Sequence, residues 1–201
     1  FNMLSKRFEQ RMPALKNEAA RRLFNIIESK SSNLALALDA PDAQTLLNWA
    51  EQLSPMACML KVHADMIPDW TPDTAHSLRD LADQHQCVLF EDRKFADIGS
   101  TNRRQFSESP LNIHQWADIV SVHVLAGLES IQALAEVLTD QQGLLLLSDM
   151  SCTGHLMNTD YQTACRHMAQ TCTPQVMGLI SQRGWPEAPE FLTCTPGVHL
   201  N

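Results

Sequence analysis

The sequence predicts an α/β protein built on a parallel β-sheet. Seven short apolar runs recur along the chain, and each is nearly continuous in hydrophobicity rather than alternating. Such runs are typical of parallel strands that are buried on both faces. Segments with the spacing of amphipathic helices separate most of these runs. Strands that alternate with helices indicate repeated β-α units, which pair as a parallel sheet.

Each apolar run has the length of an ordinary strand. The predicted strands are Leu34–Leu38, Met56–Leu60, Cys87–Phe90, Ile119–Val124, Leu144–Leu147, Val176–Ile180 and Phe191–Cys194.

The helices are predicted from apolar residues that recur every three or four positions. Pro41 and Pro72 lie beside capping residues, where two of the helices are expected to begin. The predicted helices are Ala43–Leu53, Thr74–Gln84, Leu128–Leu138 and Thr163–Gln170. A further amphipathic helix at about Leu15–Ile27 precedes the first strand.

An open doubly wound sheet and a closed (β/α)8 barrel both fit this order of elements. The chain has no Gly-x-Gly motif, so the fingerprint of a dinucleotide-binding sheet is missing. A barrel has eight strands and typically ~250 residues. Seven predicted strands in 201 residues therefore indicate a (β/α)8 barrel with about seven of its eight strands. No linker divides the chain, and we expect residues 1–201 to form a single domain.

Composition narrows the possible function classes. The chain carries 15 Lys and Arg against 23 Asp and Glu, and this net charge of −8 argues against a general nucleic-acid binder. No apolar run approaches the length of a membrane span, and no secretory signal is present. The six cysteines form no Cys-x-x-Cys pair, which favours reduced thiols in a cytoplasmic protein. The histidine spacing predicts no zinc site.

Charged residues follow three successive predicted strands. Asp39 follows the first, Lys61 the second, and Glu91-Asp-Arg-Lys94 the third, with Asp97 in the loop beyond. In a parallel barrel the chemistry lies at the C-terminal ends of the strands. Asp92 and Lys94 are two positions apart, so strand geometry places both side chains on one side. We therefore expect Lys61, Asp92, Lys94 and Asp97 to share one pocket.

Such a cluster suits an acid–base reaction. A lysine held between carboxylates keeps its proton, because neighbouring negative charge favours the ammonium form. A protonated lysine is a proton donor and not a Schiff-base nucleophile. A substrate carboxylate beside a fixed carboxylate would be repelled. A reaction that expels a carboxylate and protonates the remaining carbanion would use both features. The alternative interpretation is a structural salt-bridge network.

Several blocks of the sequence resemble the orotidine 5′-monophosphate decarboxylase family, closest to its eukaryotic branch. The most specific is Phe90-Glu-Asp-Arg-Lys-Phe-Ala-Asp-Ile-Gly-Ser-Thr101. Further blocks follow the order of the family, and the resemblance runs from about Asn33 to the end of the chain. These blocks are Met59–Asp65, Trp116–Val120, Met150–Gly154 and Leu192–Val198.

The resemblance implies a homodimeric barrel enzyme that converts orotidine 5′-monophosphate to UMP and CO₂, the last step of de novo pyrimidine synthesis, without cofactor or metal. It implies that Lys94 protonates C6 of the pyrimidine and that Asp92 lies against the substrate carboxylate. Lys61 and Asp97 would complete an alternating acid–amine chain. Asp97 and Thr101 would reach across from the partner subunit.

The resemblance also implies substrate contacts outside the acid–amine chain. Asp39 and His63 match positions at the ribose and phosphate end of the nucleotide. Ser151 matches a residue that hydrogen-bonds the pyrimidine ring, and Pro196 matches one near the base. The family has a phosphate-binding loop and a final strand after the block ending at Val198. We expect both to be absent from these 201 residues, and the chain to bind the nucleotide phosphate poorly.

Other functions fit the same residues. A related barrel enzyme, an Mg²⁺-dependent sugar-phosphate decarboxylase or aldolase, could use the same Asp-x-Lys-x-x-Asp array. A non-catalytic barrel remnant is a second alternative, and a fused orotate phosphoribosyltransferase domain is left open. Glu91 could be a partner of Lys94 or Arg93, or part of a salt bridge in the barrel wall.

Overall fold

A computed structural model describes residues 8–197 as a curled, seven-stranded parallel sheet with helices packed around it. The strands pair in chain order, β1 to β7, and every pairing is parallel. The strands are β1 (Ala35–Ala37), β2 (Met59–Val62), β3 (Val88–Phe95), β4 (Ile119–Val122), β5 (Gly143–Leu147), β6 (Val176–Ile180) and β7 (Leu192–Cys194).

Helices connect most successive strands, as the alternation in the sequence predicts. In the described part of the chain the α-helices are α1 (Phe8–Arg11), α2 (Glu18–Lys30), α3 (Ala43–Leu53), α4 (Pro72–Gln84), α5 (Gly99–Ser107), α6 (Ile113–Trp116), α7 (Leu128–Ala135) and α8 (Thr159–Thr171). A short 3₁₀ turn, Ala64–Met66, follows β2.

The prediction of a partial (β/α)8 barrel is confirmed, with differences at the ends of elements. The helix expected at Leu15–Ile27 begins at Glu18, because the Asn17 side chain accepts a hydrogen bond from the Ala20 N–H and caps it there. Helices α1, α5 and α6 were not predicted, because α1 and α6 have only four residues each and α5 is mostly polar. The expected lack of a final strand concerns positions after Gly197, outside the described residues, and stays a prediction.

Strand side chains alternate between two apolar layers. One layer faces the surrounding helices and contains Leu60, Val62 and Leu89. The other fills the interior of the curled sheet, where Met59 and Phe90 pack with side chains of α2. Helix α2 lies against the N-terminal ends of the strands, because its capping residue Asn17 donates to the Gln142 carbonyl just before β5, at 3.1 Å. Apolar side chains thus fill the interior of the curled sheet near the N-terminal ends of the strands. The C-terminal ends are left for polar groups.

Two general features bear on the expected environment of the protein. Among the described residues, none of the helices has both the length and the apolar character needed to cross a membrane. All six cysteines lie within residues 8–197, and each is a free thiol. Burial raises the pKa of the Cys58 and Cys165 thiols to about 12, so these two are unreactive.

Candidate active site

The C-terminal ends of the strands form the mouth of the curled sheet, and charged side chains collect there. Inward-facing positions change from apolar to charged along two neighbouring strands. On β2, Met59 is followed two residues later by Lys61, and on β3, Phe90 is followed by Asp92. Because side chains two apart share a face, these charges lie above the apolar interior layer.

The end of β3 departs from regular strand geometry. The pairing register between β3 and β4 shifts between Glu91 and Phe95. Within this bulge Lys94 has a left-handed backbone, with φ of 53°, which is uncommon for a residue other than glycine. Bulges of this kind re-aim a side chain, and such strain concentrates at functional sites.

Ser121 on β4 stabilises this bulge from the neighbouring strand. Its hydroxyl donates to Asp92 Oδ1 at 2.7 Å and accepts from the Lys94 backbone N–H at 2.9 Å. Ser121 is fully buried, so these bonds are shielded from water. One hydroxyl therefore fixes both Asp92 and Lys94.

Five residues make up the mouth cluster: Asp39, Lys61, His63, Asp92 and Lys94. Asp92 Oδ2 is its centre, 2.6 Å from Lys94 Nζ and 3.5 Å from Lys61 Nζ. His63 lies between two carboxylates, with Nε2 3.3 Å from Asp92 Oδ2 and Nδ1 3.0 Å from Asp39 Oδ1. The structure thus brings together five of the residues that the sequence singles out.

The electrostatics of the cluster keep Asp92 ionised. Burial alone would raise the pKa of Asp92, but hydrogen bonds from His63, Lys94 and Ser121 hold that pKa well below its usual range. The hydrogen bond to Asp92 raises the pKa of His63, although burial and the nearby Lys61 oppose this. The mouth therefore presents a fixed anion in direct contact with an ammonium group, which could donate a proton to a carbanion.

Asp97 and Thr101 lie outside the mouth cluster. Asn102 and Ser130 bind the Asp97 carbonyl at 2.8 and 2.9 Å, and the Asp97 carboxylate accepts from the Ile98 N–H. In the part of the chain that the structure describes, no ion pair or hydrogen bond joins this exposed carboxylate to Lys61 or Lys94. The expectation that one chain places all four charged residues in one pocket is therefore wrong for Asp97. Beyond the bulge at the end of β3 the chain enters α5, which contains Thr101.

Ser151 and Pro196 lie together at the ends of other strands. Ser151 is in the exposed loop after β5, and its Cβ would be 2.7 Å from a Cβ placed on Gly197. The Pro196 carbonyl accepts from Gln182 Nε2 at 3.1 Å, in the segment after β6. This pair lies on the same rim as the mouth cluster, at the C-terminal ends of β5 to β7. Its roles in substrate contact stay predictions.

Glu91 takes neither of the roles that the sequence leaves open for it. It points to the helix-facing layer, on the opposite side of β3 from Asp92, and is completely buried. Its Oε2 accepts from the Ala64 backbone N–H at 3.0 Å. Burial raises the pKa of Glu91 to about 8, which makes it a neutral acid near pH 7.

Sequence reasoning missed two polar residues beside the cluster. Ser121 is the polar residue in the otherwise apolar strand Ile119–Val122, and a lone hydroxyl in a buried strand is the signal that could have identified it. His123 follows the same strand, and its Nδ1 is buried with no hydrogen-bond partner among residues 8–197. Burial, with the positive charge of Lys94, lowers the pKa of His123.

Within the described ranges, no group of three or more His, Cys, Asp and Glu side chains is arranged to hold a metal ion. The expected independence from metal and cofactor stays a prediction.

Comparison with known proteins adds a family match that covers most of the chain. The model of the "Orotidine 5′-phosphate decarboxylase / HUMPS family" matches residues 32–201. Orotidine 5′-phosphate decarboxylase of Aureobasidium pullulans is 40% identical over 180 residues, which are 89% of this chain and 67% of that protein. Uridine 5′-monophosphate synthase of Bos taurus is 38% identical over 182 residues, 90% of this chain but 38% of that protein.

A solved structure resembles the fold at lower sequence identity. Orotidine 5′-monophosphate decarboxylase from Methanocaldococcus jannaschii superposes with a TM-score of 0.63 at 21% identity, covering 74% of this chain and 70% of that one. At this identity the likeness concerns the fold alone. It agrees with the partial barrel described above.

Proposed function

The chain belongs to the orotidine 5′-phosphate decarboxylase / HUMPS family, and from this premise we propose that it decarboxylates orotidine 5′-monophosphate to UMP and CO₂. The observation that carries the proposal is the contact of 2.6 Å between the Lys94 ammonium and the Asp92 carboxylate at the mouth. We propose that this reaction is the last step of de novo pyrimidine synthesis. We also propose that the protein works in the cytoplasm. The six free thiols support that compartment.

In the proposed reaction the bond between C6 of the pyrimidine and its carboxylate carbon breaks. CO₂ leaves, and the electron pair stays on C6. Lys94 Nζ donates its proton to C6, and the ionised Asp92 repels the substrate carboxylate before the bond breaks. Lys61 balances the charge of Asp92 from 3.5 Å. Asp39 and His63 are proposed to bind the ribose and phosphate end, Ser151 the pyrimidine ring, and Pro196 to border the base.

The assay for this function follows the loss of ultraviolet absorbance as orotidine 5′-monophosphate is consumed, with a metal chelator present. It is run on the 201-residue chain and on the full product of its gene. We expect turnover by the full product of the gene, at a rate that the chelator does not change. Turnover of a sugar phosphate that requires added Mg²⁺ would instead favour the Mg²⁺-dependent sugar-phosphate decarboxylase or aldolase. The proposal would be overturned if both the 201-residue chain and the full gene product were folded but did not consume the nucleotide.

We further propose that the enzyme is a homodimer in which Asp97 and Thr101 complete the partner's site. Large apolar side chains in the loops at the mouth support this. Met66, Ile98 and Leu125 are 61%, 63% and 72% exposed, and they follow β2, β3 and β4. Exposed apolar residues that follow three neighbouring strands favour an interaction surface at this end of the sheet, and Ile98 is directly beside Asp97.

Mixing two inactive variants tests the shared site. A Lys94→Ala subunit paired with an Asp97→Ala subunit would rebuild one intact site per hybrid dimer. Random mixing should then restore about a quarter of wild-type activity. Each variant alone should stay inactive, and native mass spectrometry should confirm exchange of subunits. Exchange without any recovered turnover would contradict the role of Asp97 across the interface.

A further inference from the structure

Glu91 is a buried carboxyl group that the proposed reaction does not use. It belongs to the helix-facing side of β3, where Leu89 is its apolar neighbour two residues earlier. Its register partners on the adjacent strands are Val62 and Val120. Oε1 has no hydrogen-bond partner within the described part of the chain, and the whole residue is 0% exposed. A polar group of this kind is costly to bury, so its single hydrogen bond requires an explanation.

That hydrogen bond joins the two segments that carry the mouth cluster. Oε2 accepts from the N–H of Ala64, at 3.0 Å. Ala64 is itself fully buried, begins the 3₁₀ turn after β2, and directly follows His63. Glu91 directly precedes Asp92. The bond therefore lies one residue away from each member of the His63–Asp92 pair, on the other side of the sheet.

The surroundings of Glu91 favour an uncharged acceptor. Burial and the negative charges of Asp65 and Asp92 raise its pKa, and the Ala64 N–H and His63 act in the opposite direction. A neutral carboxyl can still accept from the Ala64 N–H through its carbonyl oxygen. It adds no second negative charge behind Asp92, and it avoids burying an ion.

We propose that Glu91 is a positioning residue, which holds the backbone after His63 so that the imidazole stays between Asp39 and Asp92. Without this acceptor the buried Ala64 N–H loses its partner, and the turn after β2 must move to find another. The expected effect on substrate binding rests on the proposed function, because it assigns His63 to the ribose and phosphate end of the nucleotide. The effect on the environment of His63 does not depend on that assignment.

Three variants of the protein test the proposal. Glu91→Leu removes the acceptor but keeps an apolar side chain of similar size. Glu91→Gln keeps a neutral acceptor. Leu89→Ala is the matched control, because it removes apolar volume from the same face of β3 and leaves the hydrogen bond between Glu91 and Ala64 in place. Glu91→Met replaces the leucine variant if that protein does not fold, since methionine adapts to irregular cavities.

Two measurements are made on each variant. The kinetic constants for orotidine 5′-monophosphate are determined, and the His63 imidazole is titrated by NMR, with its signal assigned from a His63→Gln protein. For Glu91→Leu we expect KM to rise about tenfold with kcat within about threefold, as for loss of one buried hydrogen bond that acts on binding. We also expect the raised pKa of His63 to fall towards its ordinary value.

Glu91→Gln should restore both readouts, and Leu89→Ala should lower the melting temperature without moving either. A folded Glu91→Leu protein with unchanged KM and unchanged His63 titration would overturn the proposal. So would a Gln variant that behaves like the Leu variant. If the wild-type protein fails to turn over the nucleotide but the His63 titration still shifts, the proposed function fails and the positioning role stands.

Discussion

Replacing Lys94 with alanine is expected to lower kcat for orotidine 5′-monophosphate by at least about 10,000-fold, because one substitution removes both the proton donor and its positive charge. Lys94 Nζ is in contact with Asp92 at 2.6 Å, and the bulge at the end of β3 aims it into the mouth. Among the described residues of β3, Lys94 is the one that carries an ammonium group. Steady-state kinetics on the form of the protein that turns over substrate measures the loss.

Lys16→Ala serves as the control for the loss of one lysine charge, since Lys16 is exposed before α2 and away from the mouth. It should leave kcat unchanged. Circular dichroism and thermal unfolding establish that the Lys94 variant is folded. A folded Lys94→Ala protein that keeps more than about one per cent of wild-type kcat would exclude Lys94 as the general acid.

Replacing Asp118 with alanine is expected to lower the free energy of unfolding by about 3 kcal/mol, since it leaves the buried Leu89 N–H without its acceptor and removes two ion pairs to arginines. Asp118 immediately precedes β4, at the end of the sheet opposite the mouth. It lies 2.6 Å from Arg22 of α2 and 2.8 Å from Arg79 of α4, and it accepts from the Leu89 N–H at 2.7 Å. One carboxylate therefore ties two helices to the start of β3 and β4.

Urea unfolding at neutral pH measures this change from the midpoint and slope of the transition. Asp83→Ala is the matched control, because Asp83 pairs with the same Arg79 but is largely exposed. Exposed pairs contribute about 1 kcal/mol or less, so the control should differ little from wild type. An Asp118 loss no greater than the Asp83 loss would contradict the structural role. Folded Asp118→Ala should keep wild-type kcat, since the residue is remote from the mouth cluster.

The candidate site shows how far sequence reasoning reaches. Alternation on a strand places Asp92 and Lys94 on one side, and the two side chains do meet at 2.6 Å. They do so, however, through a bulge and a left-handed Lys94 backbone, with Ser121 bound to both. Regular strand periodicity contains no information about a bulge, because a bulge depends on how two strands pair. Asp97, in the loop beyond the bulge, does not join the cluster of its own chain, and its expected role in the partner's site stays a prediction.

By itself, the sequence determined the alternation of strands and helices, the parallel sheet, and the presence of charge at the strand ends. These follow from local hydrophobic periodicity, which is set by the burial of each element on one or both faces. Only the tertiary structure decided that His63 lies between Asp39 and Asp92 and that Glu91 reaches Ala64. These contacts join residues from different strands. Their geometry depends on strand register and on the packing of distant segments, which no local pattern encodes.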